Sequence, residues 1–314
     1  MAKDTILVLG ALGQIGTELT ASLREIYGEN QVIASDIADE RKLIETPGLY
    51  EHINVLDKEK LAYVIDKYKV THLYLLAAIL SAVGETNPKF AWNLNMESLF
   101  NVLEIAAEKG IKKIFWPSSI AIFGSDTPKI NTPQNTTLNP TTAYGISKLA
   151  GEMWVNYFFL KKGLDIRSVR YPGLISYKTL PGGGTTDYAV EIFYAAKREN
   201  KYQCFLRSDT ILPMMYMPDA LRACIELMEA PAADIRVRSS YNIAGMSFSP
   251  ADLAAAIQQY LPDFSITYKP DFRQEIADSW TQSIDDSQAR NDWHWQPKFT
   301  LSSMVNDMLE NVKI

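Results

Sequence analysis

A short apolar run, Thr5 to Leu9, leads directly into Gly10-Ala11-Leu12-Gly13-Gln14-Ile15-Gly16, and this junction restricts the fold more than any other stretch. The run is too short and too uniformly apolar to alternate, so it reads as a strand buried on both faces. A helical pattern follows to about Tyr27, and a second apolar run, Gln31 to Ser35, ends at Asp36. Gly10 and Gly13 let the backbone turn tightly with no side chain over it, and Gly16 lets the helix lie close on the sheet.

Strand, glycine turn, helix, strand and acidic residue together make the dinucleotide-binding βαβ unit. The bare backbone and the free N–H groups of the helix N-terminus suit a pyrophosphate. Asp36, about 20 residues past the last glycine, is spaced to accept hydrogen bonds from an adenosine ribose. A carboxylate there repels a 2'-phosphate, so the expected cofactor is NAD, held by Gly10, Gly13, Gln14, Ile15, Gly16 and Asp36.

The alternation continues down the chain. Tyr50 to Val55 reads as a strand, Lys58 to Tyr68 as a helix, and Thr71 to Leu76 as a buried strand opening into Ala77 and Ala78. Leu76, Ala77 and Ala78 stand where small residues past a strand end leave room for a cofactor. Asp57 has two readings, an adenine contact or the cap of the following helix. Asn87 to Glu108 is a long helix, Lys112 to Pro117 a strand, Thr141 to Lys161 a second long helix and Asp165 to Val169 a further strand, which delivers Tyr171. Turn residues then collect from Leu180 to Tyr188. Beyond them come short strands (Gln203 to Leu206, Tyr241 to Ile243, Ser265 to Tyr268) and helices (Asp187 to Asn200, Pro218 to Glu229, Pro250 to Tyr260, Leu301 to Asn311). The fold class is therefore α/β, a Rossmann doubly wound parallel sheet with a smaller C-terminal α/β substrate lobe. The expected division is 1–173 for the NAD-binding domain and 174–314 mainly for the lobe, with some segments returning to the first domain.

Candidate chemistry lies at Ser118-Ser119 and at Tyr144-Gly145-Ile146-Ser147-Lys148. On a helix, Tyr144 and Lys148 are one turn apart on one face, with Thr141 or Thr142 as N-cap. Tyr63 with Lys67 and Tyr157 with Lys161 repeat the interval, but neither has a serine comparably placed after a strand.

The glycine turn, Ser119 after the fifth strand and the Tyr-x-x-x-Lys helix resemble the extended short-chain dehydrogenase/reductase family. Three further stretches resemble its short-chain-type L-threonine 3-dehydrogenases: Arg170 to Ser176, Pro181 to Ala189 with its Gly-Gly-Gly-Thr-Thr-Asp, and Ile276 to Trp280 with Ser283 to Ser287. The resemblance implies oxidation of L-threonine by NAD to 2-amino-3-oxobutyrate. It implies Tyr144 as general base, Lys148 as its partner and a ligand of the nicotinamide ribose, and Ser119 as holder of the substrate hydroxyl. Ser81, Gly184, Thr185, Thr186 and Trp280 would line the substrate pocket, with Asp187 a further candidate. A free phenol titrates near 10, and the Lys148 ammonium with the nicotinamide is expected to lower that value. The same cofactor site on another substrate would make a sugar-nucleotide epimerase or dehydratase. An NAD-sensing scaffold would be a third reading, but it predicts a broken Ser/Tyr/Lys set.

A net charge of -6 and the lack of any Lys/Arg-rich run exclude nucleic acid and acidic lipid as partners. Cys204 and Cys224 lack metal or disulfide spacing and read as packed thiols. His52, His72 and His294 are scattered, so no metal site is expected. Met214, Met215 and Met217 read as filling the interface between lobes, and Trp293 and Trp295 as packing. No signal segment or apolar run of about 18 residues is visible, which makes the cytoplasm the expected location. Both long helices carry more large apolar residues than one buried stripe needs, Phe90, Trp92, Leu94, Met96, Leu99 and Phe100 on one and Met153, Trp154, Tyr157, Phe158 and Phe159 on the other, so a homodimer is expected.

Overall fold

The computed structural model describes residues 3–38, 47–178 and 182–314. Leu180 and Pro181, read above as part of the turn-rich junction, lie outside the described residues, as does the start Met1-Ala2. The first half alternates as expected: β1 (Ile6–Leu9), α1 (Gln14–Tyr27), β2 (Val32–Asp36), β3 (Tyr50–His52), α2 (Lys58–Tyr68), β4 (His72–Leu75), α3 (Ser81–Thr86), α4 (Pro88–Lys109), β5 (Lys113–Phe115), β6 (Ser118–Ser119), α5 (Ala143–Lys162), β7 (Ile166–Arg167), β8 (Val169–Tyr171) and β9 (Gly173–Ile175). Strands β3-β2-β1-β4-β5-β7 form one sheet in that order, and every pairing is parallel.

The uniform hydrophobicity of β1 has a direct cause. Leu7 and Leu9 enter a core with α2, α4 and α5, whereas Ile6 and Val8 enter a second core with α1 and a later helix. Every residue of the strand is therefore buried. The strand expected over Lys112 to Pro117 stops at Phe115, and pairing resumes only at Ser118, because Pro117 lacks an N–H for the ladder.

The second half comprises α6 (Tyr188–Glu199), β10 (Lys201–Cys204), β11 (Leu212–Tyr216), α7 (Met217–Glu229), β12 (Tyr241–Asn242), β13 (Met246–Phe248), α8 (Pro250–Gln258), β14 (Ser265–Tyr268), α9 (Arg273–Ser279), α10 (Ser287–Trp293) and α11 (Leu301–Asn311). Strand β12 pairs in parallel with β8, and with β6 they make a separate three-stranded sheet, while α7 packs beside α1. A third core gathers α6, α8, α11 and the turn after Ser119. Strand β11 has no counterpart in the sequence reading. All five of its residues are buried and α7 follows without a turn, so neither alternation nor punctuation marks it. Met214 points into the third core while Met215 and Met217 join the core beneath α1, which puts the methionines between the two parts of the molecule. Cys204 and Cys224 are buried free thiols. No described helix is long and apolar enough to cross a membrane.

A methyl group on Gly16 would sit 2.1 Å from the Gly10 carbonyl oxygen, whereas one on Gly13 finds its nearest atom at 3.4 Å. Gly16→Ala should cost about 1–3 kcal/mol of stability through overpacking. Gly13→Ala should change it by no more than about 0.5 kcal/mol. Urea unfolding of the two variants checks the contrast.

Candidate functional site

The turn between β1 and α1 forms a bare cradle. Gly10 has φ +89°, and a Cβ there would stand 2.6 Å from the Ala77 amide nitrogen, so the end of β4 closes directly on this turn. The Asp36 carboxylate accepts from the Leu12 amide at 3.0 Å and the Ala38 amide at 3.2 Å, which holds β2 against the cradle. Helix α1 starts at Gly13 with no side-chain cap, leaving first-turn N–H groups for an anion. The Gln14 side-chain nitrogen is buried without a partner and its residue lines the cleft beyond. A backbone cradle without room for a Cβ, an uncapped helix start and an unsatisfied buried amide all fit a dinucleotide.

From this cradle a cleft of about 440 Å³ runs past Ser119, Tyr144 and Lys148 to Gly184, Thr185, Thr186 and Trp280. Gly10, Gly13, Gln14, Ile15, Gly16, Leu76, Ala78, Ser81 and Tyr171 also line it. Ala77 is not in the lining but backs Gly10. The Tyr171 hydroxyl is turned away, donating to the Ala220 carbonyl at 2.7 Å. Asp57 stands apart from the cleft and caps α2, its carboxylate accepting from the Lys60 amide at 2.9 Å. Among the described residues lining the cleft, the charged side chains are Lys148 and Asp187.

Local packing explains why Tyr144 meets Ser119. Thr142 caps α5, its hydroxyl accepting from the Gly145 amide at 3.0 Å. A Cβ at Gly145 would fall 2.1 Å from the Ala121 carbonyl oxygen, so glycine lets α5 start directly against the turn that follows Ser119. Tyr144 is only 9% exposed, against 58% for Tyr63 and 47% for Tyr157, so burial separates the three equal intervals. Lys148 Nζ donates to the Pro117 carbonyl at 2.7 Å and lies 4.6 Å from the centre of the Trp116 ring. One turn further along α5, the Glu152 carboxylate takes hydrogen bonds from Ser118 at 2.6 Å and Arg170 at 2.8 Å.

The electrostatics of the protein alone reverse one expectation. Burial pushes the Tyr144 phenol up to about 12, against a smaller downward pull from Ser119. Burial also pulls the Lys148 ammonium down to about 7, with Glu152 opposing. Both groups are buried, and desolvation penalises phenolate and ammonium alike.

At the substrate end, the Ser81 and Thr185 hydroxyls approach to 3.3 Å. Asp187 accepts from the Gly183 amide at 2.9 Å and the Gly184 amide at 2.6 Å, which folds the glycine run back toward the cleft. Burial raises its carboxyl to about 6, even though these two N–H groups act to lower it. Asn95 escaped the sequence reading. Its amide accepts from Ile79 N at 2.8 Å, and donates to Ile79 O at 3.2 Å and to the Ser147 hydroxyl at 3.1 Å, joining the cleft wall to α5. The one available signal was a polar side chain in the middle of an apolar helix.

Comparison with known proteins agrees with this geometry. The pattern of the NAD dependent epimerase/dehydratase family matches residues 6–244. An uncharacterized epimerase/dehydratase of Staphylococcus saprophyticus is 47% identical over 310 residues, covering 98% of this chain and 97% of its own. The holo form of a GalE-like L-threonine dehydrogenase from Cupriavidus necator is 56% identical, with a TM-score of 0.96 and coverage of 98% of this chain and 100% of its own. A monomeric L-threonine 3-dehydrogenase of metagenomic origin, in its apo form, is 48% identical at a TM-score of 0.95, with 98% of each chain covered.

The depressed ammonium has a consequence for stability. Between about 7 and the ordinary lysine value of 10.5, the unfolded chain holds a proton on Lys148 that the folded chain does not. Stability contributed by this group therefore rises with pH across that window. Urea midpoints of the cofactor-free protein at pH 7 and pH 9.5 should show a gain that Lys148→Met lacks.

Proposed function

The chain belongs to the NAD dependent epimerase/dehydratase family, and from that premise we propose that it is an L-threonine 3-dehydrogenase, oxidising L-threonine to 2-amino-3-oxobutyrate. The observation that carries the reading is that Ser119, Tyr144 and the Gly184 to Asp187 turn line one cleft with the glycine cradle. In this reading Gly10, Gly13, Gln14, Ile15, Gly16 and Asp36 hold the cofactor. Bound NAD+ supplies the acceptor for the hydride that leaves the substrate carbon.

The chain's own residues handle the proton and the position of the substrate. Tyr144 takes the hydroxyl proton and Ser119 holds the hydroxyl oxygen. A phenolate at Tyr144 is favoured once positive charge is added to the cleft, by protonation of Lys148 or by loading of the oxidised cofactor, so the base is armed by cofactor binding. Thr185, Thr186, Ser81 and Trp280 enclose the amino acid, and Asp187 is the anion available to its ammonium. A zwitterion suits a cleft whose charged lining is one lysine and one aspartate. A nucleotide diphosphate would bring two negative charges to a single cation, which favours threonine over a sugar nucleotide. The exposed Phe90, Trp92, Met153, Trp154 and Tyr157 on α4 and α5 support the homodimer as part of the same reading.

NADH absorbance with L-threonine, L-serine, D-threonine and UDP-sugars in turn tests the assignment. Turnover of L-threonine is expected, and its absence in cofactor-binding protein would sink the reading. Tyr144→Phe should lower kcat by about 10²–10⁴ while NAD+ titration shows binding changed little. With Asp187 titrating at about 6, KM for L-threonine should climb as the pH falls through that value. Asp187→Asn should raise KM about tenfold or more and flatten this limb. Sedimentation at micromolar concentration should give twice the chain mass; a monomer would remove the dimer.

A further inference from the structure

Trp280 closes the far end of the cleft, yet a second recess of about 170 Å³ lies directly behind it, lined by Lys129, Arg207, Thr210, Asp278 and Gln282 among others. Trp280 borders both spaces while its side chain is buried in the third core. Beside the recess, its backbone is held by polar contacts as well.

We propose that Lys129 is a positioning residue for the substrate wall, tethering Trp280 by its backbone. Lys129 Nζ donates to the Asp278 carbonyl at 2.7 Å and to the Trp280 carbonyl at 2.9 Å, so a single ammonium spans the end of α9 and the residue after it. These are carbonyls of a helix C-terminus, which lack partners within the helix and favour a nearby cation. The Lys129 carbonyl answers by accepting from the Gln282 amide at 2.8 Å and the Thr281 hydroxyl at 2.9 Å. Next along the chain, Thr132 N donates to Ser283 O at 2.9 Å, and Asp285 N donates to Thr132 O at 3.0 Å. The loop that leads from Ser119 to Tyr144 is thereby stitched to the segment that carries Trp280.

The geometry calls for a charged donor of long reach at this place. A lysine offers three rotatable donors at the end of a long stem and can reach two carbonyls two residues apart. Hydrogen bonds from a charged donor are about twice as strong as neutral ones. Methionine matches the stem but donates nothing, leaving both carbonyls to water from the recess. Asp278 is held separately through its side chain, by Arg207 at 2.7 Å and Gln274 at 2.8 Å, so loss of Lys129 frees the Trp280 carbonyl more than it frees α9.

The kinetic part rests on the threonine reading, and a second measurement does not. In the full-length enzyme with NAD+, Lys129→Met should raise KM for L-threonine about tenfold with kcat changed less than about threefold. Lys129→Arg, which keeps donors and charge, should recover most of the loss. Hydrogen exchange followed by mass spectrometry should show faster exchange in peptides covering 279–284 of the Met variant and near-normal exchange in the Arg variant. An unchanged KM overturns the proposal whether or not exchange accelerates, and so does unchanged exchange. If the wild-type protein does not turn over L-threonine, the substrate reading fails, and the exchange measurement still decides whether Lys129 holds Trp280.

Discussion

Burial of β1 on both faces is the constraint from which the rest follows. A strand with Leu7 and Leu9 in one core and Ile6 and Val8 in another has to be covered by helices on both sides. In the order β3-β2-β1-β4-β5-β7, the chain leaves β1 toward one edge of the sheet and later leaves β4 toward the other. A crevice is then left outside the strand ends, at the point where the order reverses. The glycine cradle stands on one lip of that crevice and Ser119 with Tyr144 on the other, so these groups meet because of topology rather than nearness in sequence.

Tyr144 and Lys148 are buried in the wall of this crevice, and burial sets their acid–base character. Tyr144 and Lys148 are both desolvated, which holds the phenol high and the ammonium low. A buried pair of this kind responds strongly to any charge added beside it, because the low local dielectric magnifies each interaction.

The glycine turn and its tie to β2 were legible in the sequence because each of their requirements falls on one residue type at one spacing. Gly10 has positive φ, Gly16 abuts a carbonyl, and Asp36 bonds the turn. Tyr144 was legible only through Ser119 upstream. Strand β11, helix α9 and Asn95 were not legible, and the reasons are physical. Strand β11 is buried throughout and has no periodicity, α9 is seven residues long, and the work of Asn95 is done on a backbone 16 residues earlier. The altered titration of Tyr144 was equally hidden, since spacing predicts who neighbours whom but not how much water remains.

The polar links that unite the site show why such features escape a linear reading. Arg170 binds Glu152 of α5, and its other nitrogen reaches the Asn242 side chain at 2.9 Å and the Gln134 carbonyl at 3.0 Å. Asn242 in turn donates to Thr132 O at 3.0 Å and Asp285 O at 3.3 Å, reaching the loop held by Lys129. A buried ion pair of this kind adds little net stability, because desolvation offsets its attraction, but a misplaced partner would leave a buried charge uncompensated. Its effect is therefore on register: of the many ways to pack α5, β8 and the Trp280 segment by apolar contact, the network leaves only the few that satisfy every donor. Apolar burial makes the crevice, and the buried polar network determines which side chains face each other across it.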